Sequence, residues 1–430
     1  MKKIYNEKKF YKELFDKLLP INRCLIGEGY NKSLDILDEY INFNYIKIKS
    51  GTKVFDWTVP MEWKLNKAYI KDSNGNKILD VDKNFLHIMG YSRPVKCQLN
   101  LKELKSKLFS LPKLPKAIPY RTTYYKNDWG FNLSEIDKKK LKNDRYDILI
   151  DSKFKKGNLV LGEKILKGKS SKFFLISTYL CHPNMANNEI GGPLALIGLF
   201  QKIQEYKNRN LNYIFLVNPE TIGSICYLKK KFKFFKSKKL YGGMVLTCIG
   251  GPGNKLTFKK SKNKNTLINK FFENLYKNKR SNIDEFTPLE GSDERQYCSA
   301  GFDLPFGSIF KNKYLSYKEY HNSLDNEKYF RINKLPKTVN EIFSFIKVFD
   351  FASGCLKLRE QYGESFLEKY KLYKSKNKSK ITQNILILIS YSDSKTSIIE
   401  ISNMFNIDIY DMVEAAKIIL EKKIAKLIFI

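Results

Sequence analysis

The stretch FFLISTYLCHPNMANNEIGGPLALIGLF, residues 173–200, decides the fold. It begins as an apolar, β-branched run of strand length and breaks into a polar turn. At Pro193 it reopens as a helix that places Leu196, Leu199, Phe200 and Ile203 on one face. The unit recurs downstream. YIFLV (213–217) ends in NPETIGS, GMVLT (243–247) ends in a glycine-rich turn, and YDILI (146–150) precedes them. Apolar runs that alternate with helical patterns indicate an α/β fold, a doubly wound and mostly parallel sheet covered by helices on both faces. A helix over about 333–350 is expected to close it.

Working outward, residues 1–45 read as two helices, with an apolar face from Phe10 to Leu19 and a second helix from Ser33 to Tyr40. From Tyr45 to about Leu99 the period shortens to two. Segments such as YIKIK and KAYIKDSNGNKILDV, the latter turning at Asn74 and Gly75, predict a small antiparallel β domain with Trp57 and Trp63 in its core. Residues 100–145 form a Pro- and aromatic-rich connector, too apolar for a free linker, that should pack on a neighbour. Beyond the lysine-rich stretch at 364–380, helical patterns near 382–390, 396–405 and 408–423 run into IAKLIFI, an order that suggests a winged helix. The expected division is 1–45 (helices of the α/β domain), 46–145 (inserted β domain and connector), 146–360 (the α/β domain) and 375–430 (winged helix).

Composition narrows the function classes. The chain has 430 residues and a formal charge of +34, a field that attracts phosphate. Its lysines are nevertheless spread over every region, and the densest cluster, LKKKFKFFKSKKL at 228–240, fits an exposed amphipathic helix. The third helix of the C-terminal segment would bring Asp408, Asp411 and Glu414 toward DNA, so nucleic acid is disfavoured as a partner. Seven scattered cysteines without a CxxC pair argue against disulfides and thiolate zinc. With no membrane span and no signal-peptide pattern, a soluble cytoplasmic protein is expected, and homo-oligomerisation stays open.

The chemistry concentrates at strand ends, where open α/β sheets collect ligands. Of three histidines, His182 and His321 lie in polar segments after strands, while His87 sits in NFLHIMGY. Glu220 emerges after YIFLV, beside the cluster Asn187, Asn188 and Glu189; Asp293, Glu294 and Arg295 come from GSDERQY, and Asp325 follows His321. A catalytic zinc needs three or four N or O ligands, an open position and a carboxylate to take a proton. His182, Glu220 and His321, with Asp293 nearby, meet that need if their loops converge. Taken singly, each has a plainer reading: a loop histidine, a carboxylate at a helix N-terminus, an N-cap aspartate.

The segments STYLCHPNMANNEIGGP, PETIGS, GSDERQYCSAGFDLPFGS and EYHNSLDN, with VFDWTVPMEW, GYSRPV and IPYRTTYYKNDWGF upstream, resemble a bacterial aminopeptidase-like family related to the zinc leucyl aminopeptidases and associated with polysaccharide biosynthesis. The resemblance spans essentially the whole chain. It implies that His182 and His321 match metal histidines, that Asn188 stands where a bridging aspartate would, and that Glu220 falls within a glutamate pair whose other member is Pro219. Near Thr247 the family has a second-site aspartate, so one zinc is expected rather than two. The implied reaction is zinc-dependent hydrolysis of an amide in a small peptide, an amino-acid derivative or an amino sugar. Glu220 would be the catalytic base, and His182, His321, Asn188 and Asp293 the metal candidates. Arg295, Arg121, Tyr124 and Glu294 are the substrate-binding candidates. The alternative is a catalytically impaired relative that binds a ligand or protein.

Overall fold

The computed structural model describes residues 7–363, 365–372 and 379–430. Met1–Asn6, residue 364 and residues 373–378, the last two within the lysine-rich stretch, lie outside the described residues. A mixed eight-stranded sheet organises the chain. In chain order its strands are β1 (Asn44–Lys49), β2 (Asn158–Leu166), β3 (Phe173–Tyr179), β4 (Asn212–Asn218), β5 (Leu240–Leu246), β6 (Thr257–Lys259), β7 (Asn282–Asp284) and β8 (Phe306–Phe310). Across the sheet they run β1-β2-β4-β3-β5-β8-β6-β7. The inner four, β4, β3, β5 and β8, are mutually parallel. β1, β2 and β6 add antiparallel pairings toward the edges.

Two strands lie in the sheet opposite to the one their sequence suggested. YDILI belongs to the long strand Arg145–Lys155, which pairs antiparallel with Glu62–Lys71 and Val95–Asn100 in the small sheet. YIKIK, expected in the small domain, is β1 and extends the large sheet through β2. Apolar content cannot tell a parallel strand from a buried antiparallel one; the partner decides. Trp63 is buried beside the small sheet, in a core shared with one face of the large sheet, with its indole N–H donating to the Ser92 carbonyl at 2.9 Å. Trp57 is not: it sits on a two-residue strand and remains 37% exposed.

Both faces of the large sheet are buried. In β4, Tyr213, Phe215 and Val217 enter one core while Ile214 and Leu216 enter the other. The first core is covered by α1 (Glu7–Leu18), α2 (Glu28–Ile41), α3 (Gly191–Glu205), α5 (Leu267–Lys277) and α6 (Leu335–Ala352). The second lies under α4 (Ile222–Lys230) and the inserted domain. Gly192 lets α3 touch the sheet, since a Cβ there would meet Thr178 Oγ1 at 2.2 Å and the Leu246 carbonyl at 2.5 Å. No helix among the described residues is long and apolar enough to cross a membrane.

The C-terminal segment runs α7 (Lys380–Tyr391), a strand (Asp393–Ser397), α8 (Ile398–Met404), α9 (Ile409–Glu421) and a last strand (Ala425–Ile428). Both strands pair with Cys355–Leu358, which follows α6. The segment shares the first core with the α/β domain. Asn274 on α5 donates to the Ser402 hydroxyl and the Ile407 carbonyl and accepts from the Ile409 N–H. Asp408, at the start of α9, pairs with Arg280 at 2.7 Å. The helix end that a DNA-binding winged helix would insert into a groove is thus held by the rest of the chain.

Asp350, fully buried on α6, receives the N–H groups of Asn210 and Leu211 and the Tyr213 hydroxyl, each at 2.8 Å. It ties α6 to the start of β4. Asp350→Ala strands these donors and is expected to cost about 3 kcal/mol of stability, seen as a lower denaturant midpoint with an unchanged slope.

Candidate metal centre

The order β4-β3-β5 places a topological switch at β3: its crossover helix leads to β4 on one side, and the chain then returns to β5 on the other. His182 follows the end of β3, Glu220 the end of β4 and Cys248 the end of β5, so all three emerge at one sheet edge. After the turn the chain takes a single π-type turn over Ala186–Ile190, buried throughout. Asp325 anchors it, its two carboxylate oxygens accepting from the Asn187 and Asn188 N–H groups at 2.7 and 2.8 Å.

His182 is 5% exposed, and its ring is fixed from one side. Glu189, fully buried, accepts from His182 Nδ1 at 2.7 Å, from the His182 N–H at 2.8 Å and from the Cys181 N–H. Burial opposes a charge on this imidazole, but Cys181 and Glu189 outweigh it and raise its proton affinity well above the ordinary value. Because the Glu189 carboxylate can only accept, Nδ1 carries a proton, and in the neutral ring that a metal requires Nε2 is the nitrogen left to face the site. Below it, the buried Arg23 donates to the His182 carbonyl at 3.1 Å.

His321 arrives from a distant loop in a left-handed backbone conformation, φ 55°. The connector carries it: the Tyr120 N–H donates to the His321 carbonyl at 2.9 Å, and Ile118 and Ser323 exchange two further bonds. Tyr320 stacks on the His321 ring at 3.9 Å, and Tyr120 presents its ring to both imidazoles at 5.0 and 5.5 Å. Burial, with His182 adding to it, pushes the His321 pKa well below its usual value, so the ring is neutral. Its Nε2 is buried without a partner.

The two ring centres are 5.2 Å apart. Imidazoles bound through nitrogen to one tetrahedral zinc, at about 2.0–2.1 Å each, have ring centres about 5 Å apart. Glu220 Oε2 lies 3.6 Å from His182 Nε2, close enough to reach the same cation or a water beside it. Its other oxygen accepts from the Ser292 hydroxyl at 2.5 Å. Burial raises the Glu220 pKa against the opposing pull of His182 and Ser292. An orphaned buried imidazole nitrogen, a second imidazole held at Nδ1 by a carboxylate so that Nε2 faces the site, and a carboxylate within reach fit a single zinc.

The remaining candidates fall elsewhere. Asp293 is spent on the Glu220 turn, accepting from the Thr221 N–H at 2.6 Å, Asn218 Nδ2 at 2.8 Å and the Ser224 hydroxyl at 3.1 Å. It thereby holds Thr221 at φ 64°, a strained value for a β-branched residue. Asn188 Oδ1 meets the Tyr179 hydroxyl at 3.4 Å, and Thr247 bonds that same hydroxyl at 2.6 Å. Glu294 pairs with Lys259 at 3.0 Å, both fully buried, so it braces the loop instead of facing a ligand. Arg121 is exposed and lies over the Phe109 ring. Tyr124 does line the cleft, its hydroxyl 2.8 Å from that of Tyr120. Arg295 stands near enough to act on Tyr320 electrostatically.

Cys181, Tyr120, Ser292, Arg23 and Glu189 also build the site, and nothing in their sequence contexts singled out these roles. Cys181, His182 and Glu189 present donor atoms within 4.8 Å of one another, a spacing that would suit a cation. Glu189 already accepts three bonds, however, and burial pushes the Cys181 thiol up to about 11. That cluster positions the imidazole.

The fold is the α/β architecture of the zinc aminopeptidases. A zinc aminopeptidase from Bacillus subtilis matches it with a TM-score of 0.57 over 79% of this chain and 93% of its own, at 10% identity, a likeness of fold alone. A crystal structure from Clostridium acetobutylicum, provisionally called a peptidase, matches with a TM-score of 0.86 and 32% identity over 98% of both chains. A protein of Clostridium acetobutylicum, assigned provisionally by name to polysaccharide biosynthesis with an aminopeptidase-like domain, is 40% identical over 315 residues, 73% of this chain and 71% of its own. Residues 12–351 match the family described as the domain of unknown function DUF4910, and the chain belongs to that family.

Zinc titration of the purified protein tests the ligand set. His182→Ala and His321→Ala are expected to abolish binding, Asp293→Asn to keep it, and Glu189→Gln to weaken it about 10- to 100-fold by loosening the Nδ1 bond.

Proposed function

We propose that the protein is a zinc-dependent hydrolase of amide bonds that uses one metal ion, held by His182 and His321, with Glu220 as the residue that moves the proton. The observation that carries this reading is the pair of imidazoles 5.2 Å apart, one of them with an unpartnered buried nitrogen. Bound zinc would supply a Lewis acid and lower the pKa of water toward neutrality. Glu220 is the one carboxylate among the residues lining the cleft. Burial raises its affinity for a proton, which suits a group that takes one from water and returns it to a leaving amine. Ser292 steadies one of its oxygens, and the Asp293-held turn keeps the other toward His182. Tyr120 and Tyr124 exclude water from the imidazole side.

The relatives' names point to peptides and to polysaccharide biosynthesis; an acylated amino sugar or amino-acid derivative in the cytoplasm would satisfy both. We read the C-terminal helices as a winged-helix unit used for packing.

Release of amine from N-acyl and aminoacyl amides by the zinc-loaded protein is the direct test. Glu220→Gln is expected to cut turnover by about 100-fold or more while zinc remains bound through the two histidines. Zinc-loaded protein that is inert toward the whole panel would favour the impaired, ligand-binding alternative.

A further inference from the structure

The cleft in front of His182 and Glu220 has a volume of about 290 Å³, room for a single side chain or ring. Its wall is apolar and aromatic: Leu25, Tyr124, Ile222, and the edge-to-face pair Trp57 and Tyr125 with ring centres 5.7 Å apart. Trp57 and Tyr125 are 37% and 53% exposed, and both come from the inserted region, not from the α/β core. Large aromatic side chains left open beside a cleft offer a flat apolar contact surface.

The charges around the cleft favour one kind of occupant. An ammonium group entering a dry site needs a carboxylate with a free oxygen lone pair. Glu189, Asp293 and Asp325 are each taken up by two or more N–H donors, and Glu294 by Lys259, Ser308 and Ser292. Thr247 is neutral and bonded to Tyr179. Glu220 is the one carboxylate among the cleft-lining residues, and its two oxygens are directed at the Ser292 hydroxyl and at His182 Nε2.

We infer that the cleft selects an uncharged acyl group with a flat or apolar face, seated against Trp57 and Tyr125, and discriminates against an acyl group bearing a free α-ammonium. The inference rests on the amide-hydrolase reading for its chemistry, but its test is a binding measurement. The matched ligands are 3-phenylpropanamide and phenylalaninamide, which differ only in the amine. They are titrated calorimetrically into the zinc-loaded wild-type protein at a pH where that amine is protonated.

The uncharged amide is expected to bind at least about tenfold more tightly. Trp57→Ala should weaken it by about tenfold and Trp57→Phe should restore most of the loss, both with zinc content unchanged. Equal or tighter binding of phenylalaninamide, held by Glu220 or by the aromatic faces, would overturn the inference. Binding of neither ligand, or a Trp57→Ala variant that retains zinc and loses no affinity, would do the same. The corresponding 4-nitroanilides separate this from the reaction itself: a binding preference without turnover would sink the hydrolase reading and leave the preference standing.

Discussion

Three buried carboxylates that accept backbone N–H groups hold the candidate centre together. Glu189 takes the amides at the end of β3 and the His182 ring, Asp325 takes the two amides of the Ala186–Ile190 turn, and Asp293 takes Thr221 beside Glu220. A buried carboxylate is costly unless its lone pairs are filled, and loop amides without a ladder partner are costly unless they have an acceptor. Each cost cancels the other, and the result is three loops fixed at one rim. These residues are polar and buried because they substitute for secondary structure where the sheet ends.

The inserted region has a structural part in the centre as well as in the core it shares with the second face of the large sheet. Its connector forms a short antiparallel contact with the His321 loop through Pro119 and Asn322, and Tyr120 closes over both imidazoles. The same region contributes Trp57, Tyr124 and Tyr125 to the cleft wall. A plain doubly wound domain would leave that rim open to water. Here the low-dielectric surroundings keep the His321 ring neutral and strengthen every interaction made at the rim.

The C-terminal segment is tied in just as firmly, through Asn274, Arg280 and a shared core. Its acidic N-terminal turn on α9, read from the sequence as a poor match for DNA, faces basic and amide groups of the same chain. Apart from Lys259 and Lys260, which are buried, the lysines elsewhere among the described residues are at least partly exposed, consistent with solvated faces.

Periodicity alone was enough to read the parallel core, the closing helix, the antiparallel inserted sheet and the strand-end positions of His182 and Glu220. These follow from local rules: a strand buried on both faces must be apolar along its length, and a loop after it must be polar. The partners of the YDILI and YIKIK strands, the exposure of Trp57, the diversion of Asp293 and Glu294 into loop bracing, and the roles of Glu189, Cys181 and Tyr120 were decided only in three dimensions. The physical reason is the same in each case. A residue's type fixes which bonds it can make, whereas the crossing of distant segments fixes which partners are within reach to make them.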